Sequence, residues 1–391
     1  MIISKRHKRT PFRTRVFRRV EGISSESWNR IYPDVLEGYD FFRAMDESHL
    51  DQFSLYYIAA YKGRNVVGIA ECFLMNYSLD TSINGPLRRV SNSIKRVKGD
   101  IFSLRAFICG MPFGLGRLGL ADDVDKDKVI HVILRRMEQI AKKEKCIILA
   151  FKDFGESYSG MLAPLLSEGF VKLDSLPTTE LIVRFKDFED YLGSISAASR
   201  YDLRRKFRRV DGRAKFDMKI VGALTDHELK DAYRLYLEIV DRHDMGFELL
   251  PMSFFRNISA YMPKETKYFL WYLDGKLVAF LLCLVSKDRL LDYYVGMDYS
   301  VAHEYHLYFI KFRDVMNWCI EHGIKIYEMG VTGYEPKRRL GFDFIPLYIY
   351  AKVRHRWMTP LFKAACRLLR FENFDPALKK ANTAKTRDRA P

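Results

Sequence analysis

The residues best suited to chemistry are gathered in one short segment, Tyr327 to Phe342, which reads YEMGVTGYEPKRRLGF. A short apolar strand there runs into glycines, a tyrosine and the cations Lys337, Arg338 and Arg339, then returns to the apolar GFDFIPLYIY. Loops that leave a strand end and carry charge usually bind something, and a cationic one selects an anionic cofactor, a nucleic acid or a membrane. Glu328, inside the strand, is a candidate general base; its alternative reading is pairing with Arg338 or Lys325 at the strand end. Upstream, MDYSVAHEYHLYF supplies Glu304 and His306. An imidazole at a helix start titrates near neutral pH, although a lone histidine in an amphipathic helix is often structural. Tyr334 is either a hydrogen-bond donor to a reacting group or ordinary surface packing.

Groups of this kind need a scaffold, and the chain has the material for one. At 391 residues it exceeds one ordinary core, so two domains are expected. It is 48% apolar and 14% aromatic, enough for large cores. Its 65 basic residues against 49 acidic ones give a formal charge of +16, a field that attracts phosphates, nucleic acid or anionic lipid without choosing among them. Cys72, Cys109, Cys146, Cys283, Cys319 and Cys366 stand singly, with no CxxC pair and no clustered histidines. That spacing excludes a disulfide framework and a zinc site, so no metal is expected and a reduced, cytoplasmic setting is. The N-terminus carries eight Lys or Arg and no acid through Val20, and is followed by the polar EGISSESWNR rather than by the apolar core of a signal peptide. No run of about 20 uncharged apolar residues appears, so no transmembrane helix is expected.

Hydrophobic periodicity gives the same order of elements twice. FSLYYIAAYKGRNVVGIAECFLMNYSL, from Phe53 to Leu79, reads as strand, turn and strand. It is followed by the loop CGMPFGLGRLGLADD, the helical DKVIHVILRRMEQIAKKEK and the strand CIILAF. Lys267 to Asp298 reads as three strands and is followed by DYSVAHEY, the helical HLYFIKFRDVMNWCIEHG and the strand IKIYEMG. Two helical segments, TDHELKDAYRLYLEIVDRH and PMSFFRNISAYM, precede this second set. The repetition predicts tandem copies of one α+β fold. Between them, FEDYLGSISAASRYDLRRKFRRV places Leu203, Phe207 and Val210 on one helix face and Arg200, Arg204 and Arg208 on another.

Three stretches together resemble the tandem-GNAT proteins of Fem type, often labelled peptidoglycan biosynthesis proteins: CGMPFGLGRLGL, the linker FEDYLGSISAASRYDLRRKFRR, and HLYFIKFRDVMNWCIEHGIKIYEMGVTGYEPKRRLGF. The resemblance covers roughly residues 35 to 355. It implies an α+β fold of two tandem acyl-CoA N-acyltransferase units, and a transferase moving an acyl group from acyl-CoA to a primary amine. Some relatives of this architecture act on lipid amines, while others use aminoacyl-tRNA to extend peptidoglycan precursors. In GNAT enzymes the donor lies in a splay between the fourth and fifth strands, here RLLDYYVGMD and IKIYEMG. Tyr294, Val295, Gly296 and Tyr305 are then donor-binding candidates, Tyr334 an acid or oxyanion donor, and Lys337, which matches the lysine of the family loop, a contact for the donor's phosphates. The loop MDYSVAHEYHLYF departs from the pattern, because it lacks the glycines that cradle a pyrophosphate. The first copy has them, at Gly110, Gly114, Gly116 and Gly119 with Arg117, and there the alternatives are phosphate binding and a tight structural connection. Asn76, Tyr77, Arg105 and Phe113 are acceptor-site candidates.

The segment TPLFKAACRLLRFENF opposes Lys363, Arg367 and Arg370 to Leu361, Phe362, Ala365, Leu368, Leu369 and Phe371, the pattern of an interfacial helix on anionic lipid. Its alternative is a helix docked on the protein's own core. Peripheral attachment to the inner face of the cell membrane and a lipid-linked amine acceptor follow from the first. The same charge suits tRNA, but the helical hairpin that tRNA-using Fem proteins often carry is not visible, and a non-catalytic binding protein on a GNAT scaffold is a third alternative. The expected organisation is a basic segment over 1–34, a first domain over 35–186, a basic linker helix over 187–212, a second domain over 213–356, and an amphipathic helix with a basic tail over 357–391.

Overall fold

The computed structural model describes residues 11–78, 103–243, 249–368 and 378. They fall into two compact units. One comprises the described parts of Met1–Tyr39, Asp51–Ser175 and Tyr348–Leu369, and the other those of Asp40–Leu50, Leu176–Leu347 and Arg370–Pro391.

Fifteen strands are described. In chain order they are β1 (Phe12–Phe17), β2 (Ser54–Lys62), β3 (Asn65–Ser78), β4 (Ser103–Cys109), β5 (Gly119–Leu120), β6 (Ile148–Gly155), β7 (Val171–Asp174) and β8 (Thr178–Ile182). They continue with β9 (Asp217–Val221), β10 (Thr266–Leu273), β11 (Lys276–Val285), β12 (Arg289–Met297), β13 (Ile326–Glu328), β14 (Asp343–Ile345) and β15 (Leu347–Val353). The first sheet has the order β1-β2-β3-β4-β6-β15-β7, with β5 paired to β3, and the second β14-β8-β13-β12-β11-β10-β9.

Each sheet is covered by a helix whose sequence explains its position. The helix Lys126–Lys143 opens on Asp125, whose side chain accepts from the Lys128 N–H at 3.1 Å, and closes on Lys142 and Lys143. It buries Val129, Ile130, Ile133, Leu134, Met137 and Ile140, a 3.6-residue stripe, in the first core. In the second unit, Leu307–Glu321 buries Leu307, Ile310, Phe312, Val315, Met316 and Cys319. The linker helix Ala197–Asp211, capped by Ser196, buries Leu203, Phe207 and Val210, the face the periodicity assigns inward.

Three features differ from the sequence expectation. Residues 12–17 of the basic N-terminal segment form β1, and Arg15 and Arg18 lie over the rings of Tyr61 and Tyr56 at 5.5 and 3.8 Å, so this part belongs to the first unit rather than to a separate arm. The expected domain limits at 186 and 356 also move: β8 pairs with β13 and β14 in the second sheet, while β15 lies between β6 and β7 in the first. Alternation of apolar residues shows that a segment is a strand but not which sheet it joins, so contiguous limits were the default. Finally, Tyr334–Arg339 is a short helix and not a loop, started by Gly333 at φ +60°.

The placement of β15 makes a direct prediction. Tyr350, on β15, is buried in the first core, so Tyr350→Ala should cost about 3 kcal/mol there. Hydrogen exchange should quicken in β4 and β6 and leave β10 and β11 unchanged; the reverse pattern would contradict the placement.

Candidate functional site

In the second sheet the pairing of the central parallel strands stops early. β13 runs parallel to β12 but pairs only through Ile326–Glu328 against Arg289–Leu291, whereas β12 continues to Met297. On its other side β12 shifts register against β11: Leu282 faces Tyr294 and Cys283 faces Asp292, which leaves Tyr293 as the extra residue of a bulge. A bulge bends its strand, and this bend falls just past the end of the β13 ladder.

The corresponding strands of the first unit are closed. β4 and β6 pair from Ala106–Cys109 against Ile148–Phe151, and the chain leaving β4 then lies along β6 itself. Gly116 bridges to Phe154 and donates its N–H to the Asp153 carbonyl at 2.9 Å. A Cβ at Gly116 would stand 2.0 Å from the Lys152 carbonyl oxygen, which is why glycine is needed there. Arg117 donates to the Glu37 carbonyl at 2.8 Å and pairs with its carboxylate at 3.4 Å. Tyr32 accepts from the Gly119 N–H at 2.7 Å and donates to the buried Glu71 carboxylate at 2.8 Å, whose pKa burial pushes up to about 7. Of the two alternatives for this glycine-rich loop, the geometry supports the tight connection.

Several candidate residues occupy positions the sequence did not suggest. Lys337 is 5% exposed and donates to the carbonyls of Met329, Gly330 and Val331 at 2.7, 3.1 and 3.1 Å. Its ammonium therefore holds together the chain that leaves β13, instead of projecting from a surface loop. Burial pushes its pKa down to about 7, against the opposing pull of Asp292 and Glu328. Glu328 is buried and bonded to Arg289 at 2.6 Å and to the Thr178 hydroxyl at 3.0 Å; Arg289 also holds Glu180 at 2.9 Å. Its partner is thus Arg289, not Arg338 or Lys325, and the three residues tie β12, β13 and β8 together. Arg338 and Arg339 both pair with Glu335. The buried Tyr334 donates to the Pro177 carbonyl at 2.9 Å.

Gly296 has a packing reason, since an added Cβ would meet the Phe280 ring at 2.3 Å. Tyr294 packs against Tyr236, Phe254 and Phe255, Tyr305 against Phe216, and Val295 against the second core. His306 caps the helix Leu307–Glu321 in a left-handed conformation, φ +48°, and burial with Lys206 and Arg209 draws its pKa below the usual histidine value. In the first unit, Asn76 lies opposite Arg105 across β3 and β4, and Arg105 pairs with Glu144 at 3.1 Å. Tyr77 follows on β3, while Phe113 is buried in the loop beside Phe53. Asn76, Tyr77 and Arg105 are therefore neighbours along the backbones of β3 and β4, and Phe113 lies on the loop that follows β4.

The structure also brings forward residues that sequence reasoning missed. Asp292, on β12, and Lys311, one turn into the helix, form a buried pair at 2.8 Å, with side chains 7% and 2% exposed. The Tyr327 hydroxyl is 3.4 Å from the same Asp292 oxygen. The signal was present: an aspartate inside RLLDYYVGM, and a lysine four residues after Leu307 on the apolar face.

A family model described as FemAB-like, peptidoglycan biosynthesis/recognition, matches residues 19–373. Curated relatives include the 8-amino-7-oxononanoate synthase 2 proteins of two Mycobacterium tuberculosis strains, CDC 1551 / Oshkosh and ATCC 25618 / H37Rv. Each is 23% identical over 325 residues, 81% of this chain and 42% of theirs, so the chain spans about two fifths of their length. FemX is similar in structure, with a TM-score of 0.54 and 14% identity over 88% of this chain and 98% of that one. A tandem GNAT protein from the clavulanic acid biosynthesis pathway has a TM-score of 0.54 and 9% identity over the same shares. The C-terminal domain of a lysylphosphatidylglycerol synthetase from Agrobacterium fabrum has a TM-score of 0.51 and 13% identity, again over 88% and 98%. At these identities the likeness is one of fold, and that fold is a mixed α+β, tandem GNAT arrangement.

The position of Lys337 predicts how its loss is felt. Lys337→Met leaves three carbonyls without their donor and should cost about 1–3 kcal/mol in denaturant unfolding near pH 7. A lysine pKa lowered to about 7 in the folded state lies below its unfolded value of about 10.4, so the unfolded chain holds the proton more firmly between them. The wild-type advantage should widen as pH rises through that window; an advantage that shrinks would contradict the burial of the ammonium.

Proposed function

We propose that this chain, which belongs to the FemAB-like family, is an N-acyltransferase whose second unit takes an acyl donor, acyl-CoA, into the opening between β12 and β13 and passes the acyl group to a primary amine. The observation that carries this reading is the parallel ladder that stops after three residue pairs, beside a bulge, in one unit only. An extended arm such as pantetheine suits a gap of that kind, since it can hydrogen-bond along a strand as another strand would. In the first unit the chain's own loop fills the corresponding place, so that unit acts as scaffold.

The reaction needs little from the protein beyond position, charge stabilisation and a proton acceptor. The amine nitrogen attacks the thioester carbonyl, the C–N bond forms, the C–S bond breaks, and the thiolate ends with the proton the amine has lost. Of the two base candidates, His306 is the better placed to accept that proton. Its lowered pKa keeps the imidazole neutral at physiological pH, whereas both oxygens of Glu328 are engaged. Arg205, Lys206 and Arg209 act on His306 from the linker helix, opposed by Asp202, which pairs with the first two, and the excess of cations there favours a phosphate-bearing donor. The exposed Arg205 and Arg209 support aminoacyl-tRNA as the second reading of the donor.

Attachment to an anionic membrane belongs to the same proposal. Among the described residues no helix is long and apolar enough to cross a membrane. The helix Thr359–Leu368 nevertheless exposes Leu361, next to an exposed Trp357 and the cation Lys363. Leu369, Arg370 and Phe371 of the expected interfacial segment lie outside the described residues, as do residues 1–10.

Incubation with acyl-CoA and a panel of primary amines should release free thiol and form amide in equal amounts, and calorimetry should give saturable CoA binding. Salt-sensitive binding of aminoacyl-tRNA with silence toward every CoA species would replace acyl-CoA as the donor. Anionic vesicles should shift the emission of Trp357 to the blue, neutral ones should not; no shift with either would refute the membrane part.

A further inference from the structure

We infer that Asp292, Tyr308, Lys311 and Tyr327 form the oxyanion side of this site, in which the Tyr308 hydroxyl donates to the acyl carbonyl oxygen as it gains charge and Lys311 places a cation behind it. The inference rests on the proposed function and extends it to residues with no other assigned role.

The location comes first. Asp292 is the first residue of β12 past the ladder with β13, so its side chain marks the edge of the opening. Tyr308 lies in the first turn of the helix that follows, two residues after His306, and Lys311 one turn further along the same face. Lys311 Nζ is 2.8 Å from Asp292 Oδ2 and 5.6 Å from the centre of the Tyr308 ring. Tyr327, on β13, approaches the same carboxylate from the other strand at 3.4 Å. The four side chains thus come from both strands that border the gap and from the helix that covers it.

The second observation is the Tyr308 hydroxyl. Its oxygen is closed off from solvent and has no hydrogen-bond partner among the described residues. A buried hydroxyl left in that state is costly, and removing it is a change a purely structural core would tolerate. A buried ion pair beside it also contributes less to stability than apolar residues of the same size would. Both features make sense together if a carbonyl oxygen enters, accepts the phenol's hydrogen bond and meets the Lys311 charge in a place without water. Burial and the Asp292 carboxylate push the Tyr308 pKa up, so the phenol keeps its proton throughout the working pH range and has a hydrogen to donate. Tyr334 does not compete for this role, because its hydroxyl is spent on the Pro177 carbonyl.

In the step assigned here the proton on Tyr308 is shared and not transferred. The amine attacks, the C=O π electrons move onto oxygen, the phenol and the ammonium stabilise the oxyanion, and the charge returns as the C–S bond breaks. Tyr308→Phe removes the hydroxyl alone. It should lower kcat about 10²- to 10³-fold with KM within about threefold, the range seen for loss of one oxyanion donor, while melting temperature stays level or rises. Activity within twofold of wild type overturns the inference and leaves the proposed function standing. A loss of activity that comes with a lowered melting temperature also overturns it, since the hydroxyl would then be structural. Wild-type protein that acylates no amine from either donor refutes the proposed function and this inference with it.

Discussion

Backbone groups in a sheet must be paired, and the two units meet that requirement differently. In the first, the chain leaving β4 turns back along β6 and supplies its own pairing through Gly116, so the sheet is closed. In the second, β13 leaves β12 after three pairs, and the chain beyond it is drawn aside and held by Lys337. The functional reading depends on this asymmetry. The two copies share an order of elements, yet only in one does the chain turn back along the ladder between its central parallel strands.

Ending a ladder next to a hydrophobic core has consequences for charge. Arg289, at the first pair of the β12–β13 ladder, binds Glu328 and Glu180 at its far end, and so fastens β12, β13 and β8 along that ladder. One residue further on, Asp292 and Lys311 are buried as a pair, and Lys337 is buried on carbonyls alone. Such groups are poor sources of stability compared with apolar side chains. Their concentration at one opening, with a buried hydroxyl that has no described partner, is what distinguishes this region from an ordinary strand end.

Much of this fold was legible in the sequence because it rests on periodicity. The repeat of hairpin, helix and strand and the inward face of Leu203, Phe207 and Val210 follow from apolar spacing and turn residues, while the choice of β12 and β13 as the diverging strands follows from the family resemblance. The sheet that β8 and β15 join was not legible, since both partner choices bury the same residues equally well. Lys337, Arg338 and Arg339 read as one cationic loop because adjacent charges look alike in one dimension. A short helix sends Lys337 inward and leaves the two arginines with Glu335. Asp292 and Lys311 were overlooked for the opposite reason: they interrupt apolar patterns, and the patterns were strong enough to be read through them.

The most direct test is hydrogen exchange of the full chain with and without saturating acyl-CoA. A donor lying between β12 and β13 should slow exchange across residues 292–311 and 326–339 and leave 103–119 and 148–155 as they were. Protection confined to 103–119 and 148–155 would place the donor in the first unit and contradict the account.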